Sequence, residues 1–292
     1  MLIIDTHAHI YAENDAEYPA IDNPTRPPGK SGSLKTLDAL ISTNHVSAAC
    51  AIQPISFYGW NNSFIRDVSS TKPKHLAGVC ALDPDDTSAS ELLTRYVTED
   101  GVRGLRTYVG SGSQLDHPGV RALWRAAEQL GIVVNVSVGC DKADDLARML
   151  EAFPNLPVVI DHCLLPKAGP DLSETIAAMV RLAQFSNAYA KLSFLPLGSR
   201  EEYPYRDMHQ PCMTIIAAYS PERCVWGNCF PCELWSPKSD YSQNLRLFTH
   251  ALNLQASARA SILGRTAHAL WFGEIRRGLH NYTPRILARS PR

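Results

Sequence analysis

Two histidines separated by one residue, His7 and His9, follow a short apolar run near the start of the chain. Residues i and i+2 of an extended segment point to the same side, so we expect both imidazoles to face one space. Parallel α/β folds place their chemistry at the carboxyl ends of buried strands. Paired imidazoles there suit metal ligation, or oxyanion binding with proton transfer. The alternative interpretation is a pair of polar residues that begins a surface loop, because a His-x-His match is short.

A third histidine, His162, follows the apolar run Val158-Val159-Ile160 and comes directly after Asp161. Burying such a titratable pair costs free energy unless the pair is used or satisfied by partners. The pattern therefore predicts a functional His162. The alternative is a histidine whose ring is bonded to a neighbouring backbone carbonyl.

Two arginines, Arg103 and Arg106, lie in one strand-like segment. Side chains three residues apart on a strand point to opposite faces, so only one of them can reach the same space as the histidines. We expect this to be Arg106, which lies nearer the strand end and could hold a substrate carboxylate in a bidentate clamp. Arg103 is then expected to form a salt bridge among the helices.

Strand-like runs alternate with amphipathic, helix-like segments from residue 1 to about 275. The eight predicted strands are residues 2–5, 47–53, 76–82, 101–107, 132–138, 158–161, 189–192 and 223–226. Strict alternation of this kind predicts an α/β fold, a closed TIM-like (β/α)₈ barrel with a C-terminal closing helix. An open doubly wound sheet is the second choice, since no glycine-rich turn follows the first strand. We predict one domain over 1–280 and a tail over 281–292.

In such a barrel the residues that follow the strands converge on one face. We expect a pocket there, with further contacts from the loops above it. The candidate catalytic residues are His7, His9, His162 and Cys229, and the candidate substrate-binding residues are Gln53, Tyr58, Asn62, Arg106, Ser137 and Arg206.

Composition limits the partners that this chain is expected to have. Its 292 residues carry a formal net charge of −1, with 45% hydrophobic and 20% charged residues. The chain can therefore bury a large core, and the charge gives no reason to expect nucleic acid or a membrane as a partner. No apolar run approaches the roughly 20 residues that span a bilayer. We expect a cytoplasmic protein with eight reduced cysteines, acting on a small molecule, and the oligomeric state stays open.

The opening run Ile4-Asp5-Thr6-His7-Ala8-His9 resembles the amidohydrolase superfamily, in particular the branch that contains 2-pyrone-4,6-dicarboxylate lactonase. Further similar segments occur in the expected order, at Gln53-Pro54, Gly101 to Arg106, Val159 to His162, Lys191 to Ser193 and Trp226-Gly227. The resemblance implies a (β/α)₈ barrel that hydrolyses lactones and related cyclic carboxylates, with metal-dependent decarboxylases as relatives. It also implies that the three histidines polarise a carbonyl, that arginines hold carboxylates and that an aspartate after the eighth strand activates water.

The chain departs from this family pattern at two positions. After the eighth strand the family usually has Gly-Ser-Asp-Trp-Pro, whereas Gly227 to Pro231 place Cys229 where the aspartate is expected. After the fifth strand, where metal-dependent members have a histidine, the chain has Ser137. We therefore predict a site without a metal cofactor. If a metal is bound, it would be Zn²⁺ or Mn²⁺ on His7, His9 and His162.

Three interpretations of Cys229 stay open: a nucleophile that forms an acyl-enzyme, a bystander in a site that moves protons, or a packing residue. The spacing of Cys224, Cys229 and Cys232 resembles part of an iron–sulfur motif, but we take it as coincidence. Asp161 and Glu233 are alternative bases, although Asp161 could instead orient a neighbour and Glu233 could face solvent.

The predicted function is that of a hydrolase on a small, acidic, cyclic substrate, with lactone hydrolysis as the leading reaction. One alternative is a lyase or isomerase on the same barrel, which decarboxylates, moves a proton or cyclises without using water. A second alternative is a barrel that binds a ligand and catalyses nothing.

Overall fold

Eight parallel strands form one sheet in chain order in a computed structural model, which describes residues 1–273. Every neighbouring pair from the first strand to the eighth is parallel. The strands are β1 (Ile4–Ala8), β2 (Ala48–Ile52), β3 (Leu76–Ala81), β4 (Gly104–Thr107), β5 (Val133–Val136), β6 (Val158–Ile160), β7 (Ala188–Lys191) and β8 (Cys224–Val225). All eight predicted strands are present, each within three residues of its predicted bounds.

The barrel closes between the segment after β8 and β1. Ala8 and Phe230 form a parallel bridge, and the backbone N–H of His9 donates to the carbonyl of Phe230 at 2.8 Å. At the same junction, which we call the seam, the N–H of Thr6 donates to the carbonyl of Trp226 at 3.1 Å. The prediction of a closed (β/α)₈ barrel is therefore confirmed, and the first and last strands meet at the His-x-His segment.

Helices surround the sheet and pack apolar faces against it. They are α1 (Leu34–Thr43), α2 (Ile55–Tyr58), α3 (Ser63–Thr71), α4 (Ala89–Glu99), α5 (Pro118–Leu130), α6 (Ala143–Ala152), α7 (Leu172–Leu182), α8 (Leu195–Gly198), α9 (His209–Tyr219), α10 (Cys232–Trp235), α11 (Tyr241–Arg246) and α12 (Ala256–Ala260). Local signals set several ends: the Ser33 side chain caps α1, and α5 starts with a proline and ends at the left-handed Gly131.

The predicted closing helix is more irregular than its sequence pattern suggests. α12 continues into two wider, π-helical segments, Ser261–Arg265 and His268–Phe272. The second brings Trp271, 1% exposed, into the apolar cluster inside the barrel, together with Ile4 and Val79. The tail predicted over 281–292, and the last residues of the predicted domain, lie outside the described residues.

Arg103 differs from the sequence expectation. Its Nε donates to the Trp271 carbonyl at 3.0 Å, and its guanidinium also contacts the Gly273 carbonyl. The carbonyls at the end of the closing helix have no helical partners of their own, and this explains why they hold a cation. Arg103 therefore ties the closing helix to the barrel.

The direction of the side chains on β1 changes along the strand. Ile4 packs inside the barrel, whereas Ala8 belongs to the core between strands and helices. Strict alternation would place these two residues on the same face. The pairing of β1 with β2 shifts register between Asp5 and Ala8, and such an irregularity re-aims the residues that follow it. As a result, His7 and His9 point into the open end of the barrel.

Candidate active site

The two β1 histidines are in direct contact. The Nε2 atoms of His7 and His9 lie 3.2 Å apart, and Nδ1 of His9 lies 2.9 Å from the carbonyl oxygen of Ile52 at the end of β2. The ring of His162, directly after β6, packs edge-on against His7 with centroids 4.6 Å apart. The structure thus brings together the three histidines that the sequence singled out.

All three imidazoles are buried, and burial is the main cause of their low basicity. It lowers the pKa of His9 to about 3, with a further contribution from the positive charge of Arg106. It lowers the pKa of His162 to about 4, although the charge of Asp161 opposes this. The pKa of His7 is also far below its usual value, because burial is reinforced by the charge of Lys191. The three rings are therefore neutral near pH 7.

A buried ion pair lies beneath the histidines. Nζ of Lys191, the last residue of β7, is 2.7 Å from Oδ1 of Asp161, and both side chains are inaccessible to solvent. Asn135 on β5 donates to the same carboxylate oxygen at 3.0 Å. Burial raises the pKa of Asp161, but the charges of Lys191 and Arg106 outweigh it and keep the pKa below the usual value. Asp161 is thus an ionised partner of Lys191.

Sequence reasoning did not single out Lys191 as a site residue. The available signal was a lysine at the end of a short, otherwise apolar strand, where a charge must be either paired or functional. Its parity with Tyr189, which packs against the cluster inside the barrel, also indicated that it points inward.

Arg106 extends from β4 into the mouth of the barrel, as predicted. Its Nη1 lies 3.5 Å from Nε2 of His9, its Nε lies 3.9 Å from Oδ2 of Asp161, and its guanidinium carbon lies 5.6 Å from the centre of the Tyr108 ring. Among the described residues, Nε of Arg106 and Oδ2 of Asp161 are buried without a hydrogen-bond partner. A guanidinium with a free donor beside an imidazole can bind an anionic oxygen.

Cys229 faces His162. Its Sγ lies 3.8 Å from Nδ1 of His162, whose nearer partner is Oγ of Ser193 at 2.8 Å. Both Cys229 and His162 have a left-handed backbone, with φ of 66° and 56°. Burial raises the pKa of the Cys229 thiol, so the protonated form is strongly favoured. The geometry brings the thiol to the site, while its surroundings disfavour a thiolate.

Asp5 forms hydrogen bonds across the seam, next to the histidines. It is fully buried and accepts from the backbone N–H groups of His7 at 3.0 Å and Asn228 at 2.8 Å. The hydroxyl of Tyr241 donates to its other oxygen at 3.0 Å. Burial raises the pKa of Asp5 to about 6, although these hydrogen bonds favour its charged form. Asp5 thus links β1 to the loop after β8.

Gln53, Tyr58 and Asn62 bond to the backbone of the segments around them. The Gln53 amide donates to the carbonyls of Gly59 and Asn61, at 3.1 and 2.8 Å. Asn62 exchanges two hydrogen bonds with the backbone of Ala81, and the Tyr58 hydroxyl accepts from a backbone N–H. These contacts shape the loop over the mouth, and a direct contact with substrate stays a prediction.

The remaining candidates differ in their exposure to solvent. Ser137 is half-buried directly after β5, and Arg206 and Glu233 are exposed. In the cysteine motif, Cys224 is buried in β8 and Sγ of Cys232 donates to Asn228 at 3.0 Å. The binding roles of Ser137 and Arg206 stay predictions, and so does the alternative of Glu233 as a base.

The donor set fits a divalent cation poorly. Among the described residues, the Nε2 atoms of His7 and His9 lie 3.2 Å apart, a distance typical of two zinc ligands. Ligand atoms of His7, His162 and Cys229 spread over as much as 4.8 Å, whereas neighbouring ligands of a tetrahedral zinc lie about 3.3 to 3.7 Å apart. Nη1 of Arg106 also faces Nε2 of His9, so a cation there would meet a positive charge.

Comparison with known proteins identifies relatives of this fold. The sequence profile of the amidohydrolase family matches residues 4–273, which confirms the resemblance. A comparison with curated protein sequences finds no match. Among the described residues, no helix is long and apolar enough to cross a membrane.

Three solved structures illustrate the range of these relatives. A probable 2-pyrone-4,6-dicarboxylic acid hydrolase of Acinetobacter baumannii, with citric acid bound, has a TM-score of 0.76 at 18% identity, covering 94% of this chain and 100% of that one. A zinc-bound amidohydrolase of Burkholderia multivorans scores 0.71 at 22% identity, covering 93% and 99%. The 5-carboxyvanillate decarboxylase of Sphingomonas paucimobilis scores 0.64 at 15% identity, also covering 93% and 99%. This chain belongs to the amidohydrolase family and is an enzyme of that fold.

Proposed function

We propose that this enzyme hydrolyses the ester bond of a small lactone that carries a carboxylate, without a metal ion. The observation that carries the proposal is the position of Arg106, whose Nη1 lies 3.5 Å from Nε2 of the neutral His9. A substrate carboxylate held by the guanidinium would bring an adjacent ring carbonyl to the imidazoles. The match to a structure solved with citric acid, a carboxylate ligand, agrees with an acidic substrate.

The chemistry requires one imidazole that donates and one that accepts. An imidazole N–H stabilises the negative charge that develops on the lactone carbonyl oxygen. A water oxygen attacks the carbonyl carbon and passes a proton to an imidazole nitrogen that carries a lone pair. The ring C–O bond then breaks and its oxygen takes up a proton, which leaves an open-chain hydroxy acid. The histidine pair of β1 offers both kinds of nitrogen within 3.2 Å.

The test is a panel of lactones with and without a carboxylate, incubated in oxygen-18 water. We expect the label in the new carboxylate of the product, and only for acidic lactones. Replacing Arg106 by Met should lower kcat/KM by roughly 10- to 100-fold, since a hydrogen bond to a charged group contributes about 1.5 to 3 kcal/mol. Arg125→Met, on the exposed face of α5, is the matched control. Equal turnover of neutral lactones, or no effect of Arg106→Met, would contradict the proposal.

A lyase is the second candidate. It is supported by the lack, among the described residues of the site, of an obvious carboxylate to activate water. Asp161 is paired with Lys191, and Cys229 stands where the family usually has the aspartate that activates water. The decarboxylase of Sphingomonas paucimobilis has a related fold. Carbon dioxide release from an aromatic or enolisable acid, with no labelled oxygen in the product, would favour this candidate over hydrolysis.

A further inference from the structure

Lys191 is one member of the buried ion pair, and it also contacts the histidine pair. Besides its bond to Asp161, its Nζ donates to the backbone carbonyl of Thr6 at 2.8 Å and lies 3.4 Å from Nδ1 of His7. A lysine ammonium has three N–H donors and no acceptor. These three partners account for all three donors of a side chain that is inaccessible to solvent.

We propose that Lys191 is a positioning residue that fixes His7 in the tautomer with its proton on Nε2. In the reaction, His7 is then the hydrogen-bond donor and His9 is the proton acceptor; this assignment of roles rests on the proposed function, whereas the tautomer does not. An ammonium can only donate, so Nδ1 of His7 must present its lone pair. A neutral imidazole carries one ring proton, which must therefore be on Nε2.

Asp161 does not compete for a proton on Nδ1 of His7. Its Oδ2 lies 3.9 Å from that nitrogen, beyond hydrogen-bond distance. Its Oδ1 is already bonded to Lys191 and Asn135. The carboxylate therefore acts on His7 through the lysine that it holds in place.

The contacts of His9 independently support a hydrogen bond that His7 donates and His9 accepts. Nδ1 of His9 lies 2.9 Å from the carbonyl oxygen of Ile52, which can only accept. His9 therefore carries its proton on Nδ1, and its Nε2 is the lone-pair atom 3.2 Å from Nε2 of His7. The hydrogen bonds run one way, from Lys191 through His7 and His9 to Ile52. Arg106 also points a donor at the same nitrogen of His9.

This direction assigns the roles at the mouth of the barrel. A substrate carbonyl oxygen that reaches the pair would accept from Nε2–H of His7 in place of His9, and the lone pair on Nε2 of His9 would then be free to take the proton of an attacking water. A protonated Nε2 cannot ligate a metal, which agrees with the poor fit of the donor set to a divalent cation.

Nitrogen-15 NMR of the histidine-labelled enzyme tests the tautomer directly, with the signal of His7 assigned by its loss in His7→Gln. We expect a protonated Nε2 and an unprotonated Nδ1 for His7, and the reverse for His9. A protonated Nδ1 on His7 in the wild-type enzyme would overturn the proposal. Because the spectrum needs no substrate, this outcome is independent of whether lactones are turned over.

Variants test the role of Lys191. The single change to Met would leave Asp161 buried and unpaired, so the matched variant is K191M/D161N, which replaces both charges. We expect the His7 proton to redistribute toward Nδ1 and kcat to fall by about 100-fold, the scale of general acid–base catalysis, with little change in KM. Lys72→Met, which removes a surface partner of Asp38, is the control. An unchanged His7 spectrum together with unchanged kcat in the double variant would also overturn the proposal.

Discussion

At the scale of single residues, the site separates charged groups from neutral ones. The ion pair of Lys191 and Asp161 lies beneath the histidines, and Arg106 lies at the rim. Between them, burial keeps the pKa values of His9 and His162 far below the ordinary histidine value. A neutral imidazole can be both donor and acceptor, which an imidazolium cannot. Because burial keeps the rings neutral, each imidazole offers one donor and one acceptor nitrogen at neutral pH.

The thiol of Cys229 gives the first prediction at this scale. Because burial disfavours its thiolate, we expect Cys229→Ala and Cys229→Ser to keep most of their kcat/KM. The free energy of unfolding should fall by about 1 kcal/mol, as for a typical change at a packed position. Mass spectrometry of the working enzyme should find no acyl adduct on the cysteine.

Cys212→Ser, at an equally buried position on α9, is the control for packing. An acyl-enzyme on Cys229, or activity that vanishes in both Cys229 variants while Cys212→Ser remains active, would show that the thiol is the nucleophile.

At the scale of elements, the seam between β1 and the segment after β8 positions the chemistry. The register shift on β1 turns His7 and His9 into the barrel, and Asp5 ties β1 to Asn228 across the seam. Gly227 lies in the same seam, where an added Cβ would come within 2.8 Å of the His7 Cβ. The glycine is therefore required by close approach rather than by a special backbone angle.

The substitution Gly227→Ala tests whether the seam is closely packed at His7. The new methyl group must push against His7, so we expect a loss of about 1 to 3 kcal/mol in the free energy of unfolding, as in other overpacked cores. A lower kcat should accompany it, because the histidine pair is displaced. Urea unfolding and steady-state kinetics measure the two effects.

Gly169→Ala is the matched control, since its nearest neighbour is the flexible end of Arg200 at 3.2 Å. It should change the stability by no more than about 0.5 kcal/mol. Equal effects of the two substitutions would argue against a tight seam at His7.

At the scale of the whole molecule, the buried histidines link the stability of the barrel to pH. The folded-state pKa of His162 is about 4, below the value of about 6.5 in the unfolded chain. As the pH falls below about 6.5, the unfolded chain binds a proton that the folded chain does not, so the stability falls until the pH reaches the folded-state pKa. Asp5, with its pKa raised to about 6, acts in the opposite direction over part of this range.

The contribution of His162 is isolated by comparing the wild type with His162→Asn, because asparagine tolerates the left-handed backbone at this position. Between pH 7 and pH 5, we expect the wild type to lose about 1 to 2 kcal/mol more than the variant. Urea unfolding at several pH values measures the difference. His75→Gln, at an exposed position, should follow the wild type; parallel curves for the wild type and His162→Asn would contradict a depressed pKa.

The sequence predicted the barrel well, because a strand buried on both faces is a local apolar run and the eight runs repeat at regular intervals. It also placed His7, His9, Arg106 and His162 at the mouth, since residues after parallel strands converge. It did not predict the partner that Arg103 has within the described residues, because that partner is a helix end more than 160 residues away. Lys191 was missed although its place in an apolar strand was a signal, because its partners Thr6, His7 and Asp161 are distant in the sequence.

The sequence by itself determined the fold, the family and several of the residues that meet at the mouth of the barrel, since these depend on local patterns and on the order of strands. Only the tertiary structure decided how those residues are arranged. The register shift in β1 turns the histidines inward, and the ion pair of Lys191 with Asp161 sets the environment of His7. These features depend on distances of a few ångströms between atoms from different strands, and hydrogen bonds and buried charges are sensitive to such distances.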